Sequence, residues 1–251
     1  MNSIAAIRAY ADARLRDRVP SAFVLPERPE MPVLQTGIPS IDAQIGGLPC
    51  AAVTELCGNP LVTSGADALL MSLLAKATQE HFCAVIDATD SFNPRRAYSA
   101  GTRLNRLLWV RCQEQPKKRN GGRLDQALYA ADLLLKANCG FGVIVVDLAD
   151  IPEKLLRQLT LDVWYRFRLA AEKLSTALIF STPVPVTGTS SALVLKFDGS
   201  WGEWTSSGTN APGHARVLNG LNYGAEVMRS RDRKKNVEAA RMSFCSWRSW
   251  A

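Results

Sequence analysis

Long apolar runs are missing from this chain of 251 residues: no stretch reaches the roughly 18 residues needed to cross a bilayer. From Met1 to Arg18 apolar and charged residues alternate, so the uninterrupted apolar core of a signal peptide is missing too. These absences lead us to expect a cytoplasmic protein without a membrane partner. Histidine is scarce, with His81 and His214 alone, and the six cysteines (Cys50, Cys57, Cys83, Cys112, Cys139, Cys245) include no close pair. Zinc-ligand spacing is therefore lacking and no metal site is expected. Most of the thiols should be reduced and sit in the core.

What remains is the composition of an ordinary globular protein, 47% apolar and 21% charged. The length suits one sizeable α/β domain with appendages. The net charge of +7 is unevenly placed. Between Arg95 and Arg123 nine Lys/Arg face one acid, Glu114, and between Val227 and Ala251 seven face two, which leaves the rest of the chain net acidic. Clusters of this kind suit an acidic partner, either nucleic acid or an acidic protein surface. Solvated surface segments would look the same.

At the start, Ile4, Ile7, Ala11 and Leu15 recur at helical spacing, with Arg8, Arg14, Arg16 and Arg18 on other faces. This predicts an amphipathic N-terminal helix that ends before Pro20. A linker punctuated by Pro20, Pro26, Pro29 and Pro32 follows, so residues 1–32 form a first segment. Strand candidates then come at Ala52–Cys57, Phe82–Asp87, Leu107–Cys112, Gly142–Leu148, Thr176–Thr182 and Ala192–Asp198. Several are continuous apolar runs, as expected of strands covered on both faces. Helix-length stretches lie between them at Ala66–Glu80, Arg95–Ala100, Leu124–Asn138 and Glu153–Leu174. The alternation predicts a mainly parallel, twisted α/β sheet flanked by helices, with Trp201–Trp204 extending a late hairpin. Residues 33–207 form this core, and 208–251 a basic, partly flexible tail.

The loop after the first core strand runs from Gly58 to Gly65 and opens a helix, which is the layout of a phosphate-binding loop. Its working residues differ. A phosphate cradle needs G-x-x-x-x-G-K-[ST], with lysine on the terminal phosphates and a hydroxyl on Mg²⁺. Here six residues separate the glycines, and Ala66-Asp67 stand where Lys-Ser/Thr would be. A carboxylate there would face an anion. Ser64-x-x-Asp67 reads better as a helix-capping box with Asp in place of Glu/Gln.

Four stretches carry a specific resemblance. Leu34-Gln35-Thr36-Gly37-Ile38-Pro39-Ser40-Ile41-Asp42 with Gly46-Gly47-Leu48-Pro49 resembles the segment that precedes the phosphate loop in RecA-type recombinases. Val85-Ile86-Asp87-Ala88 with Asn93-Pro94 resembles their second-strand motif, and Val143-Ile144-Val145-Val146-Asp147 their Walker B strand. Thr176-Ala177-Leu178-Ile179-Phe180 resembles the strand leading to their second DNA-binding loop. Together these span about Val33 to Trp204. The resemblance implies a RecA-like core with a vestigial nucleotide site at Gly58, Gly65, Ala66, Asp67, Thr89 and Asp147. Thr89 stands where the family has its catalytic glutamate, and its hydroxyl cannot activate water as a carboxylate does. The long DNA loops of a recombinase are also missing. No ATPase activity, strand transfer or bound cofactor is therefore expected. Among degenerate RecA relatives the chain resembles the ImuA family in its length, damaged phosphate loop and basic tail. That implies an accessory protein of damage-induced translesion synthesis, partnered by an ImuB-like inactive Y-family polymerase homologue, with RecA and DNA as further contacts. A SulA-like division inhibitor and a divergent RecA/KaiC-like ATPase are the alternatives.

Two surface elements are candidates for such contacts. In the tail, Arg229, Arg231, Arg233, Lys234 and Lys235 precede Val237, Ala240, Phe244 and Trp247, whose spacings of three, four and three would form one apolar stripe on a helix, with Trp250 beyond. Such a helix would dock in a partner groove; packing on its own domain and lying on a membrane surface are the other readings. In the basic cluster, Arg95, Arg96, Lys117, Lys118 and Arg119 are candidate contacts for weak, sequence-independent DNA binding.

Overall fold

A computed structural model of the chain describes residues 6, 7, 10, 32–58, 65–113, 122–204, 216–231 and 241–247. The chain divides into two units, Met1–Met31 and Pro32–Ala251. In the first, residues 6, 7 and 10 are helical, and Ile7 and Tyr10 are exposed.

The second unit begins with β1 (Val33–Leu34), α1 (Pro39–Ile45) and β2 (Leu48–Pro49). It continues with β3 (Ala52–Gly58), α2 (Gly65–Ala77), β4 (Phe82–Asp87), α3 (Pro94–Ser99), β5 (Leu107–Arg111) and α4 (Arg123–Ala137). Next come β6 (Phe141–Asp147), α5 (Glu153–Arg157), α6 (Leu161–Leu174) and β7 (Ala177–Thr182). The long strands β8 (Leu193–Trp204) and β9 (Leu218–Ser230) and the strand β10 (Arg241–Trp247) complete it. The main sheet has eight strands in the order β10-β9-β8-β3-β7-β6-β4-β5. Strands β3 to β8 are parallel, while β9 and β10 are added antiparallel.

The apolar runs explain this arrangement. Every residue of β3 and β7 is buried, so both strands must be covered on both faces. On one face Leu56, Val85, Val145 and Ile179 pack with Leu69, Leu70, Leu73 and Leu74 of α2 and Ile41 of α1. On the other, Ile86, Ile144, Val146 and Phe180 pack with Ala127, Ala131 and Leu135 of α4 and Trp164, Phe167 and Ala171 of α6. The Trp164 and Phe167 rings meet Phe180 edge-on at 5.1 and 5.6 Å between centroids. Cys57, Cys83 and Cys112 are buried thiols; burial pushes those of Cys57 and Cys83 up to about 12.

The stretch before β3 owes its shape to Asp42. Its carboxylate accepts the Thr36 and Gly37 amides at 2.9 and 3.2 Å, and Thr36 Oγ1 accepts the Ile38 amide at 3.1 Å. Gly37 sits at φ +80, a conformation that costs glycine least, and Pro39 opens α1.

The helix ends expected within 66–80 and 153–174 differ from those observed. α2 stops at Ala77 because Thr78 Oγ1 turns back on the Leu74 carbonyl at 2.7 Å and also accepts the Arg103 amide at 3.0 Å. The second stretch breaks into α5 and α6, with extended Thr160 preceding the second helix.

The tail requires a larger correction. A helix was expected to carry Phe244 and Trp247, but Arg241–Trp247 is a strand, paired so that Phe244 meets Tyr223 and Trp247 meets Gly220. Ser243, Phe244, Cys245, Ser246 and Trp247 all come from the weaker half of the helix scale. Without β10, β9 would also present a long row of unpaired amides and carbonyls. In a strand the three- and four-residue spacings no longer define a face. The sheet therefore continues past residue 207, and α1 packs against β10. Val237, Ala240 and Trp250, like Arg233, Lys234 and Lys235, lie outside the described residues.

One buried charge holds the centre of the sheet. Glu55 of β3 is fully buried, and its carboxylate accepts Thr182 Oγ1 at 3.1 Å, the Val186 amide at 2.7 Å, the Thr187 amide at 3.3 Å and the Thr187 hydroxyl. It thereby ties the β7–β8 connection down onto the sheet. Replacing Glu55 by Ala strands these donors without water. We expect a loss of about 3 kcal/mol or more, read in urea unfolding as a lower midpoint at unchanged slope. An unchanged midpoint would show that the carboxylate is not structural.

Candidate functional site

In an open α/β sheet ligands bind beyond the carboxyl ends of the parallel strands. Here that edge carries Gly58 at the end of β3, Asp87 at the end of β4 and Asp147 at the end of β6, with Asp87 and Asp147 paired across adjacent strands. The structure brings Thr89 and Asp147 together. Thr89 Oγ1 lies 2.9 Å from Asp147 Oδ2, and Ser91 Oγ lies 2.9 Å from the same oxygen. Asp147 Oδ1 accepts the Ala149 amide at 3.1 Å. The Thr89 hydroxyl also lies 3.1 Å from Asp87 Oδ1 and 2.7 Å from Ser91 Oγ, so its single proton serves one of these oxygens at a time.

Asp87 is fully buried and held by nitrogen donors. Its Oδ1 accepts the Thr89 and Ser91 amides at 3.1 and 3.2 Å, and its Oδ2 accepts the Phe92 amide at 3.1 Å and Trp109 Nε1 at 3.2 Å. Four donors from two connected segments make Asp87 the organiser of the β4–α3 turn. Neither Asp87 nor Glu55 was singled out from the sequence as a site residue. The available signal was a carboxylate inside an otherwise apolar strand run, since such a charge is buried only when donors surround it.

The other sequence-derived positions sit at the start of α2. Gly65 and Ala66 are buried in its first turn. Asp67 Oδ2 forms an ion pair with Arg96 Nη2 at 2.6 Å, both side chains about half exposed. Such a pair contributes at most about 1 kcal/mol, so its importance is occupancy: the cation at this corner already has a carboxylate. Ser64, the other half of the expected capping box, lies outside the described residues.

The candidate DNA contacts divide. Arg95 and Arg96 lie exposed on α3, the latter held by Asp67. Lys117, Lys118 and Arg119 lie outside the described residues. Nearby, Arg111 grips Asp90 through two hydrogen bonds at 2.8 and 2.9 Å and stacks over Trp109 at 5.0 Å. Arg106 donates to the Gln79 carbonyl at 2.7 Å. In the tail, Arg229 donates to the Gly188 carbonyl, and Arg231 donates to the Thr189 carbonyl at 3.0 Å and approaches Glu172 at 3.8 Å. Two of the expected partner-binding arginines thus lie against their own chain. Among the described residues no helix is long and apolar enough to cross a membrane.

A structural comparison matches this architecture. A KaiC-like protein from the hyperthermophilic archaeon Pyrococcus horikoshii superposes with a TM-score of 0.55 over 86% of this chain and 95% of its own, at 14% sequence identity. The fold is RecA-like. No protein-family model matches the sequence. In this RecA-like frame the closed cluster at Asp87, Thr89, Ser91 and Asp147 lies at the carboxyl edge of the parallel strands, where such α/β sheets bind ligands.

Burial raises the Asp147 carboxyl above its ordinary range; the Ala149 amide and the Ser91 and Thr89 hydroxyls pull it back only in part. A carboxyl raised on folding binds its proton more tightly in the native state. Its contribution to stability is greatest below its unfolded value and declines as pH rises through the folded one. Asp147→Asn keeps the shape and removes the titration. We expect the variant to gain stability relative to wild type as pH rises from 4 toward 8, followed as the difference in Tm. A difference that stays flat with pH would show that Asp147 is not raised.

Proposed function

We propose that this chain is a non-catalytic RecA-like accessory protein of damage-induced translesion synthesis, binding an ImuB-like inactive polymerase homologue with RecA and DNA as further contacts. The observation that carries the non-catalytic half is the carboxyl edge itself. Ala66-Asp67 stand where Lys-Ser/Thr would be, Asp67 holds Arg96, and the Thr89 and Ser91 hydroxyls both lie 2.9 Å from Asp147. An incoming triphosphate would meet the Asp67 carboxylate where it needs a lysine, and Mg²⁺ would have to displace both hydroxyls from Asp147. The translesion half rests on the resemblance to the ImuA family in length, damaged loop and basic tail.

Titration calorimetry with a non-hydrolysable ATP analogue and Mg²⁺ tests the first half, and the expected outcome is no saturable heat up to millimolar ligand. Micromolar binding would instead support the divergent ATPase reading. Affinity capture of the tagged full-length chain from DNA-damaged cells tests the second. Recovery of a Y-family polymerase homologue is expected, and recovery of the tubulin-like division protein in its place would favour a SulA-like inhibitor. Because β10 is an edge strand of the sheet, tail contacts are better tested by substituting exposed residues than by truncation.

A further inference from the structure

The inner face of α6 is fully used, but its outer face is not what a solvated helix presents. Trp164, Phe167 and Ala171 are buried against the sheet, whereas Leu161, Tyr165 and Leu169 form a stripe at i, i+4 and i+8 that is 63%, 50% and 46% exposed. On the same helical layer α4 exposes Tyr129 and Leu133, and α5 exposes Leu155. Three i,i+4 ion pairs are closed on these helices: Asp132–Lys136, Glu153–Arg157 and Arg168–Glu172. Asp162 and Arg166 have the same spacing in the favourable order, acid first. Yet they form no ion pair with each other among the described residues, and both side chains are exposed.

We propose that this face is a homodimer interface, in which α6 packs antiparallel on α6 of a second copy about a two-fold axis through Tyr165. Three features of the helix select a second copy over another partner. The stripe is symmetric about Tyr165, so a perpendicular two-fold sets Tyr165 on Tyr165 and brings Leu161 level with Leu169 of the other copy. At 100° per residue Asp162 and Arg166 both fall on the same flank of the stripe. The two-fold keeps that flank in place and reverses direction, so Asp162 of one copy lies about 3 Å along the axis from Arg166 of the other. Asp162 and Arg166, the latter over the Phe167 ring at 6.0 Å within its own chain, are then set against each other across the interface, twice by symmetry. Finally, the six exposed apolar side chains present on the order of 600 Å², close to the apolar share of the roughly 800 Å² that each partner contributes to a standard interface. Of the other charges of this layer six are paired within the chain, and the exposed Asp125, Lys154 and Lys173 carry both signs, so nothing here selects a strongly charged partner.

Sedimentation equilibrium of the full chain across the micromolar range, with far-UV circular dichroism as the control for folding, tests this directly. Wild type should be a dimer. Tyr165→Glu, which places two like charges at the axis, should raise the dissociation constant by about thirtyfold or more. Asp162→Arg, a change at an exposed position outside the buried core, should raise it by about tenfold, and the swap Asp162→Arg/Arg166→Asp should restore it to within about threefold. A wild-type chain that stays monomeric throughout this range overturns the proposal. So does a dimer indifferent to Tyr165→Glu, or a double swap that fails to recover.

Discussion

The structure depends on how charge is kept inside a parallel sheet that is covered on both faces. Glu55 and Asp87 are both fully exposed to protein and not at all to water. A bare carboxylate there would cost many kcal/mol, so each must collect donors, and the nearest donors are the amides and hydroxyls of the connections leaving the strands. Glu55 takes Thr182, Val186 and Thr187; Asp87 takes Thr89, Ser91, Phe92 and Trp109. The shape of two connections therefore follows from two buried charges. The edge of the sheet is built from the inside outward.

That constraint bears on what the edge can do. A glutamate at position 89 would set a third carboxylate beside Asp87 and Asp147, and like charges this close need a cation or a shared proton to persist. Threonine needs neither, because its hydroxyl can donate to either carboxylate and its amide donates to Asp87. Threonine at position 89 is thus chemically consistent with the two carboxylates beside it, and among the described residues the cluster is held by donors of its own chain.

Much of this was legible in the sequence, for a clear reason. Several of the six parallel strands announce themselves as apolar runs, and β3, β4, β5, β6, β7 and β8 all start within a residue of the expected strand starts. Continuous burial leaves a signal that needs no partner to interpret. The resemblance to RecA-type recombinases placed Thr89 and Asp147 in one site, and the two side chains lie 2.9 Å apart. The edge strand β10 was not legible. Its residues have no alternation strong enough to outweigh a chance helical spacing, and its place depends on β9, some twenty residues earlier, needing a partner. Likewise, nothing local in Arg229 and Arg231 tells that the turn at Gly188–Ser190 will lie beside them. Long-range pairing decides those residues.

The same distinction explains where this molecule keeps its capacity to bind. Among the described residues, Asp87, Thr89, Ser91 and Asp147 at the carboxyl edge bond one another, and Arg229 and Arg231 bond carbonyls of the Gly188–Ser190 turn. Exposed apolar surface among the described residues lies at the periphery, on the outer face of α6 with α4 and α5 and at Trp201 and Trp204, where the β8–β9 hairpin runs on past its last pairing with β3 at Gly58. The buried core and the carboxylates Glu55 and Asp87 hold these surfaces in fixed positions.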